Sequence, residues 1–136
     1  MKVKITKLNE TAKVEVKGNR IELYSQASKM LPMFNNLANE IAISAKLEKV
    51  LVEIPTGISI TVAENDTKFI PKFILNKTLD NLGIKLYNND INNGEIKFLV
   101  QNLSNIKIAI KEKEHIGTIV FVPILEVESE IEEFKQ

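Results

Sequence analysis

The chain has no cysteine, no tryptophan and a single histidine, His115. Without cysteine there are no disulfides, no thiolate metal sites and no thiol nucleophile. One imidazole cannot build a multi-histidine metal site, and no metal is expected. Glycine is scarce, 5 in 136 residues, and no glycine-rich loop of the kind that cradles phosphates is present. No apolar run approaches the roughly 18 residues of a membrane-spanning helix. An excess of one charge is also missing: 18 basic residues balance 18 acidic ones, so composition gives no pull toward nucleic acid. The basic residues are scattered without interleaved aromatics, which argues against a nucleic-acid face. The opening "MKVKITKLNE" alternates lysine with valine and isoleucine, a strand pattern and not the apolar core of a secretion signal. A cytoplasmic protein without membrane association is expected.

What the chain does have is period-two alternation. It runs through Val3/Ile5, Ala12/Val14/Val16, Ile21/Leu23, Ile58/Ile60/Val62, Ile96/Phe98/Val100 and Ile106/Ile108/Ile110. "KVLVEI" and "GTIVFVPIL" are more continuously apolar, as strands covered on both faces would be. Between the runs stand turn signals: "KGN", "PTG", "ENDT", "NNDINNG", "NLSN" and "KEKEHIG". Many short strands at this spacing predict an all-β sandwich or barrel. A length of 136 residues fits one domain spanning 1–136. One segment departs from the pattern. In "SKMLPMFNNLANEI", Met30, Phe34, Leu37, Ala38 and Ile41 fall at helical spacing, with Ser28 placed to cap and Pro32 in the first turn. This predicts a short helix over about 29–40 that packs its apolar stripe on the barrel, or else lines a cofactor or partner groove.

Charge is distributed unevenly. Residues 1–20 carry Lys2, Lys4, Lys7, Lys13, Lys17 and Arg20 against Glu10 and Glu15, whereas the end carries Glu126, Glu128, Glu130, Glu132 and Glu133 against Lys135. The two ends are either solvated faces or surfaces that meet, within one chain or between subunits. The acidic segment 126–136 fits a strand through Val127, Ser129 and Ile131 or a helix through Val127, Ile131 and Phe134.

Candidate chemistry is thin. His115 has Glu112 and Glu114 close in sequence, but a hairpin turn explains that cluster, and a general base needs an organised partner within hydrogen-bond reach. Glu64 and Asp66 in "ENDTK" read as a turn, and a cation site there needs ligands from elsewhere.

In order, the strands and turns resemble the trimeric dUTPase family. "MKVKITKLNETAKVEV" is similar to its opening strands, "NRIELYS" (19–25) to its first motif, and "LVEIPTGISITV" (51–62) to its threonine-glycine strand. The stretch 83–124 follows the third motif, the hairpin and the fourth motif almost without gaps, and the segment 29–40 stands as an insertion. The resemblance implies a dUTPase-like distorted jelly-roll β-barrel with that one inserted helix, assembled as a homotrimer with three shared active sites.

The residues that would carry dUTP hydrolysis do not match. The water-activating Asp of the third motif falls on Asn89, and Asp90 replaces it only if the turn is one residue shorter. The sugar-stacking Tyr falls on Asn92 and the Arg before Gly94 on Asn93. An amide cannot take a proton from water at neutral pH. The phosphate-binding second motif falls on Leu75-Asn76-Lys77, so its guanidinium fork is missing and Lys77 replaces only its charge. The first motif's Asp is Glu22; the fourth motif's Gln is Thr118, with Gly117 and His115 before it. The glycine-rich fifth motif, a lid over the nucleotide, has no counterpart in "EVESEIEEFKQ". No catalytic residue is therefore expected; Asp90 and Glu22 are the candidates if the chain is active, with Mg²⁺ as cofactor in that case only. Asn76, Lys77, Asn89, Asn92, Gly94 and Thr118 are expected as remnants of a nucleotide pocket. The expected function is a non-catalytic homotrimeric scaffold or interaction module with an unidentified protein partner, of viral, phage or mobile-element origin and located in the host cytoplasm or the virion. A divergent deoxynucleotide diphosphohydrolase and a nucleotide sensor without turnover are the alternatives. Whether the acidic segment swaps onto a neighbouring subunit stays open at this level.

Overall fold

The computed structural model describes residues 2–34, 51–62, 69–88, 91, 94–124, 129–132 and 134. Eleven strands and one short helix occupy them: β1 (Val3–Lys7), β2 (Val14–Lys17), β3 (Arg20–Tyr24), β4 (Lys29–Leu31), β5 (Val52–Pro55), β6 (Ile58–Val62), β7 (Phe69–Leu75), α1 (Lys77–Asn81), β8 (Ile84–Leu86), β9 (Lys97–Asn102), β10 (Ile108–Ile110) and β11 (His115–Pro123). The period-two runs become strands because alternate residues meet the same core. In β9 Phe98 and Val100 are buried while Lys97 points to solvent, and in β10 Ile108 and Ile110 are buried around an exposed Ala109.

The strands form four sheets, in the orders β2-β3-β11-β7, β5-β9-β8, β1-β6 and β10-β4, and every ladder is antiparallel. The described strands do not close into a barrel. One core nevertheless serves all four sheets, with Leu23, Leu31, Ile54, Ile58, Phe98, Val100, Ile116 and Ile119 fully enclosed. Phe73 packs on Phe98 with ring centroids 5.5 Å apart, which joins the four-stranded sheet to the β9 layer. Emptying a site such as Phe98 removes about 3–5 kcal/mol. The "KGN" signal closes the β2/β3 hairpin. Only Gly18 and Asn19 lie between the paired Lys17 and Arg20, and Gly18 takes the positive φ of 61° that a glycine-first two-residue loop demands.

The helix predicted over 29–40 is not found where it should begin. Lys29–Leu31 is strand β4, paired with β10. Two local effects override the helical spacing. Leu31 precedes Pro32, whose ring disfavours helical backbone in the residue before it. The side chains also alternate, with Met30 57% exposed beside Leu31 at 0%. Ser28 does not cap a helix; its hydroxyl accepts the Glu112 backbone N–H at 3.3 Å. Residues 35–40 lie outside the described residues. Phe34 is helical, and the helix described along its whole length is α1, a five-residue element in the segment assigned to the second motif.

Among the described residues no helix is long and apolar enough to cross a membrane. The described residues of the acidic segment, 129–132 and 134, lie in no strand or helix, and Ile131 and Phe134 are 87% and 89% exposed.

Candidate functional site

The site is built on one face of the four-stranded sheet. Glu22 on β3 stands directly opposite Thr118 on β11, so both side chains leave the same face. In a regular strand His115 would point the other way, being three residues from Thr118. The pairing slips here: Thr118 faces Glu22 and Gly117 faces Leu23, but His115 faces Tyr24, leaving Ile116 as an extra residue. This β-bulge turns His115 onto the face that holds Glu22. Ile116 goes into the core, and its carbonyl accepts the Asn76 backbone N–H at 2.7 Å. Gly117 is required at the bulge, since a Cβ there would run into the Ile74 carbonyl and stand 2.6 Å from the Phe98 ring.

The geometry that follows is tight. His115 Nε2 lies 2.6 Å from Glu22 Oε2, and Thr118 Oγ1 donates to the same oxygen at 2.6 Å. His115 Nδ1 lies 2.7 Å from Asn76 Nδ2. Asn76 is the N-cap of α1, and its Oδ1 accepts the Thr78 N–H at 2.8 Å. Arg20 Nε approaches Glu22 Oε1 at 3.5 Å. The Tyr24 ring flanks His115 at 5.2 Å between centroids, and its hydroxyl donates to Glu15 at 3.0 Å. Burial alone would raise the pKa of Glu22. Hydrogen bonds from Thr118 and His115, with the nearby charge of Arg20, outweigh it and hold the carboxyl below its ordinary value. Tyr24 is shifted up, by burial first and then by its bond to the Glu15 carboxylate.

The structure thus brings Asn76 and Thr118 from the expected pocket together with Glu22, a candidate only for an active chain, and adds His115 as their hub. The partners of His115 are not its sequence neighbours: Glu22 lies 93 residues away and Asn76 39. Lys77 opens α1 and is exposed, with no ion pair recorded to the network. Gly94 is exposed at the far side of the β8/β9 connection. Asn89, Asp90, Asn92 and Asn93 lie outside the described residues, as do Glu64 and Asp66.

Two features near that connection went unanticipated. Asn88 extends the β8/β9 ladder with its side chain, Nδ2 donating to the Lys97 carbonyl at 2.6 Å and Oδ1 accepting from the Leu99 N–H at 3.2 Å. Its amide takes over where the main chain leaves the ladder, after Tyr87 N–H has bonded the Leu99 carbonyl. The outer face beyond Thr118 is apolar. Ile70, Ile74 and Val122 meet Leu86, Tyr87 and Leu103 along an open groove of about 1150 Å³ between β7 and β8. Among the described residues no group of three or more His, Asp or Glu side chains converges. The described residues therefore do not by themselves offer a donor set for the Mg²⁺ that a nucleotide hydrolase would use.

Comparison with known proteins gives one kind of answer. No protein-family model matches the chain, and no curated protein matches it in sequence. Solved structures do match. The dUTPase from phage phi11 of S. aureus aligns with a TM-score of 0.67 at 14% identity, covering 99% of each chain. EIAV dUTPase aligns with 0.67 at 13% identity, again over 99% of each chain. A variant of Staphylococcus bacteriophage 80alpha dUTPase gives 0.67 at 15% identity, over 99% of both. This chain has the dUTPase fold. The dUTPase fold spans the chain end to end, as the order of strands and turns led us to expect. At these identities the likeness carries the fold and leaves the chemistry to the site residues.

Proposed function

We propose that this dUTPase-fold chain is non-catalytic and works as a homotrimeric scaffold or interaction module, with a source in a virus, phage or mobile element. The observation that carries the non-catalytic part is how completely the Glu22 network uses its own polar groups. Both nitrogens of His115, both ends of the Asn76 amide and the Thr118 hydroxyl are engaged within the chain, and both Glu22 oxygens have partners. A substrate would have to break these contacts before it could use any of the groups. The site also presents an ionised carboxylate where a polyphosphate needs cations, and phosphoryl transfer depends on positioning and charge neutralisation. The replacements at Asn89, Asn92 and Asn93 point the same way.

Precedent supports the interaction reading. Phage dUTPases, the 80alpha protein among them, control transfer of virulence genes by a proto-oncogenic G protein-like mechanism. The fold therefore supports regulatory roles alongside nucleotide chemistry. Assembly into a homotrimer is supported by the resemblance to the trimeric family and by the exposed apolar groove. In that assembly the acidic segment 126–136 would reach a neighbouring subunit, where Ile131 and Phe134 find cover.

Pyrophosphate release from a panel of deoxynucleotides with Mg²⁺ tests the reading. No turnover is expected for any of them. Turnover that Asp90→Asn abolishes would overturn it in favour of a divergent diphosphohydrolase. Calorimetric binding of a deoxynucleotide without turnover would establish the sensor instead.

A further inference from the structure

We infer that Asn76 is a positioning residue that sets the tautomer of His115, and with it the direction of every hydrogen bond converging on Glu22. The inference does not depend on whether the chain turns over a nucleotide.

A carboxamide has one donor end and one acceptor end of nearly equal shape, so its orientation is read from its partners. Asn76 settles its own. As the cap of α1 it takes the Thr78 N–H at 2.8 Å, and only the carbonyl oxygen can accept that proton. The NH₂ end is left facing His115 Nδ1 at 2.7 Å. Nδ1 must accept, so it carries no proton. The ring proton then sits on Nε2 and is donated to Glu22 Oε2 at 2.6 Å, the oxygen that also receives the Thr118 hydroxyl. The opposite tautomer would set two donors against each other at Asn76 and turn a ring lone pair toward a carboxylate oxygen. Polarity therefore runs one way, from the Thr78 backbone N–H through Asn76 and His115 to Glu22.

Capping alone does not explain the amide. Ser, Thr and Asp cap helices about as well as Asn. Among these caps only the amide has a separate donor end that reaches Nδ1 while its oxygen takes the Thr78 N–H. His115 is thereby a one-way donor with no free lone pair for a substrate proton.

Long-range ¹H–¹⁵N correlation of the histidine ring, recorded on the full chain in neutral buffer, reads the tautomer directly. The natural protein is expected to show a neutral ring with its proton fixed on Nε2. Asn76→Asp keeps the cap but offers Nδ1 an acceptor, so the ring is expected to carry protons on both nitrogens between two carboxylates. Asn76→Ser keeps a capping hydroxyl that is too short to reach the ring, and the spectrum is expected to average over both tautomers. Unchanged urea midpoints would show that capping survives in these variants. A natural spectrum with the proton on Nδ1, or averaged between tautomers, overturns the inference without recourse to any variant. So does an Asn76→Asp spectrum indistinguishable from the natural one. A role in helix capping alone would leave the ring spectrum unmoved.

Discussion

Glu22 is a carboxylate only 8% exposed, and it is kept as an anion by what touches it. Its folded pKa lies below its ordinary value of 4.5, so it contributes stability above that value and loses the contribution as pH falls through the lower, folded one. Glu22→Gln keeps the volume and removes the charge, leaving the buried Thr118 and His115 donors poorly matched. The variant is expected to be about 1–3 kcal/mol less stable than the natural protein at neutral pH. Urea titrations of the two should converge as pH drops below 4.5 and Glu22 becomes protonated. A gap that stays constant down to strong acid would show that Glu22 contributes through packing and not through its charge.

A second residue is under local strain. Lys113, in the turn between β10 and β11, holds φ at 67°, a left-handed conformation that costs a side-chain-bearing residue about 1–2 kcal/mol. Its backbone N–H bonds the Ser25 carbonyl at 2.7 Å and its side chain is exposed, so glycine loses no recorded contact there. Lys113→Gly is expected to raise stability by about 0.5–1 kcal/mol, after the extra unfolded-state freedom of glycine is subtracted. A higher urea midpoint with unchanged slope is the measurement.

At the scale of elements, the β11 bulge decides whether a site exists at all. It sends Ile116 inward and His115 outward, and it works because position 117 has no side chain. Gly117→Ala would press a methyl against the fixed Ile74 carbonyl, which no rotamer change can relieve. We expect a loss of about 3 kcal/mol or more, and disappearance of the fixed His115 signal even in whatever fraction stays folded. Far-UV dichroism with the ring spectrum separates the two effects. The bulge also marks how far the sequence could be read. Alternation in β6 and β10 was plain because each strand has one buried face. The fold order was legible too, since "KGN" and "PTG" sit where chains turn. The segment "SKMLP" was misread because a helical spacing of apolar residues ignored the backbone restriction that Pro32 places on Leu31. The Glu22–His115 pair left no local trace. A slip of one residue is invisible to a period-two pattern, and His115 was judged beside Glu112 and Glu114 when its partners lie on β3 and at the start of α1. Asn88 escaped for a similar reason: a side chain standing in for backbone looks like any other turn asparagine.

At the scale of the whole molecule, the apolar face is what a single chain leaves unfinished. Ile70 and Ile74 are 52% and 38% exposed on the outer side of β7, and Tyr87 and Leu103 across the groove are 42% and 44% exposed. These side chains are contiguous, and Lys72, between the two isoleucines, has no recorded ion pair among the described residues. Contiguous apolar surface of this kind marks an interface more often than it is tolerated in water. A second copy would cover it, and a stable interface needs about 800 Å² from each partner, so the contact would extend well beyond this groove. Light scattering coupled to size exclusion should therefore report three times the 15.4 kDa of the chain. Ile70→Glu combined with Ile74→Glu should bring the mass down to one chain, because six new carboxylates in a trimer would be buried without partners. Both positions are exposed on the strand surface, so dichroism and the urea midpoint of the isolated chain should stay close to those of the natural protein. A natural chain that elutes at 15.4 kDa ends the trimer proposal. A trimer that ignores both charges moves the interface to another face and leaves this groove for a different partner.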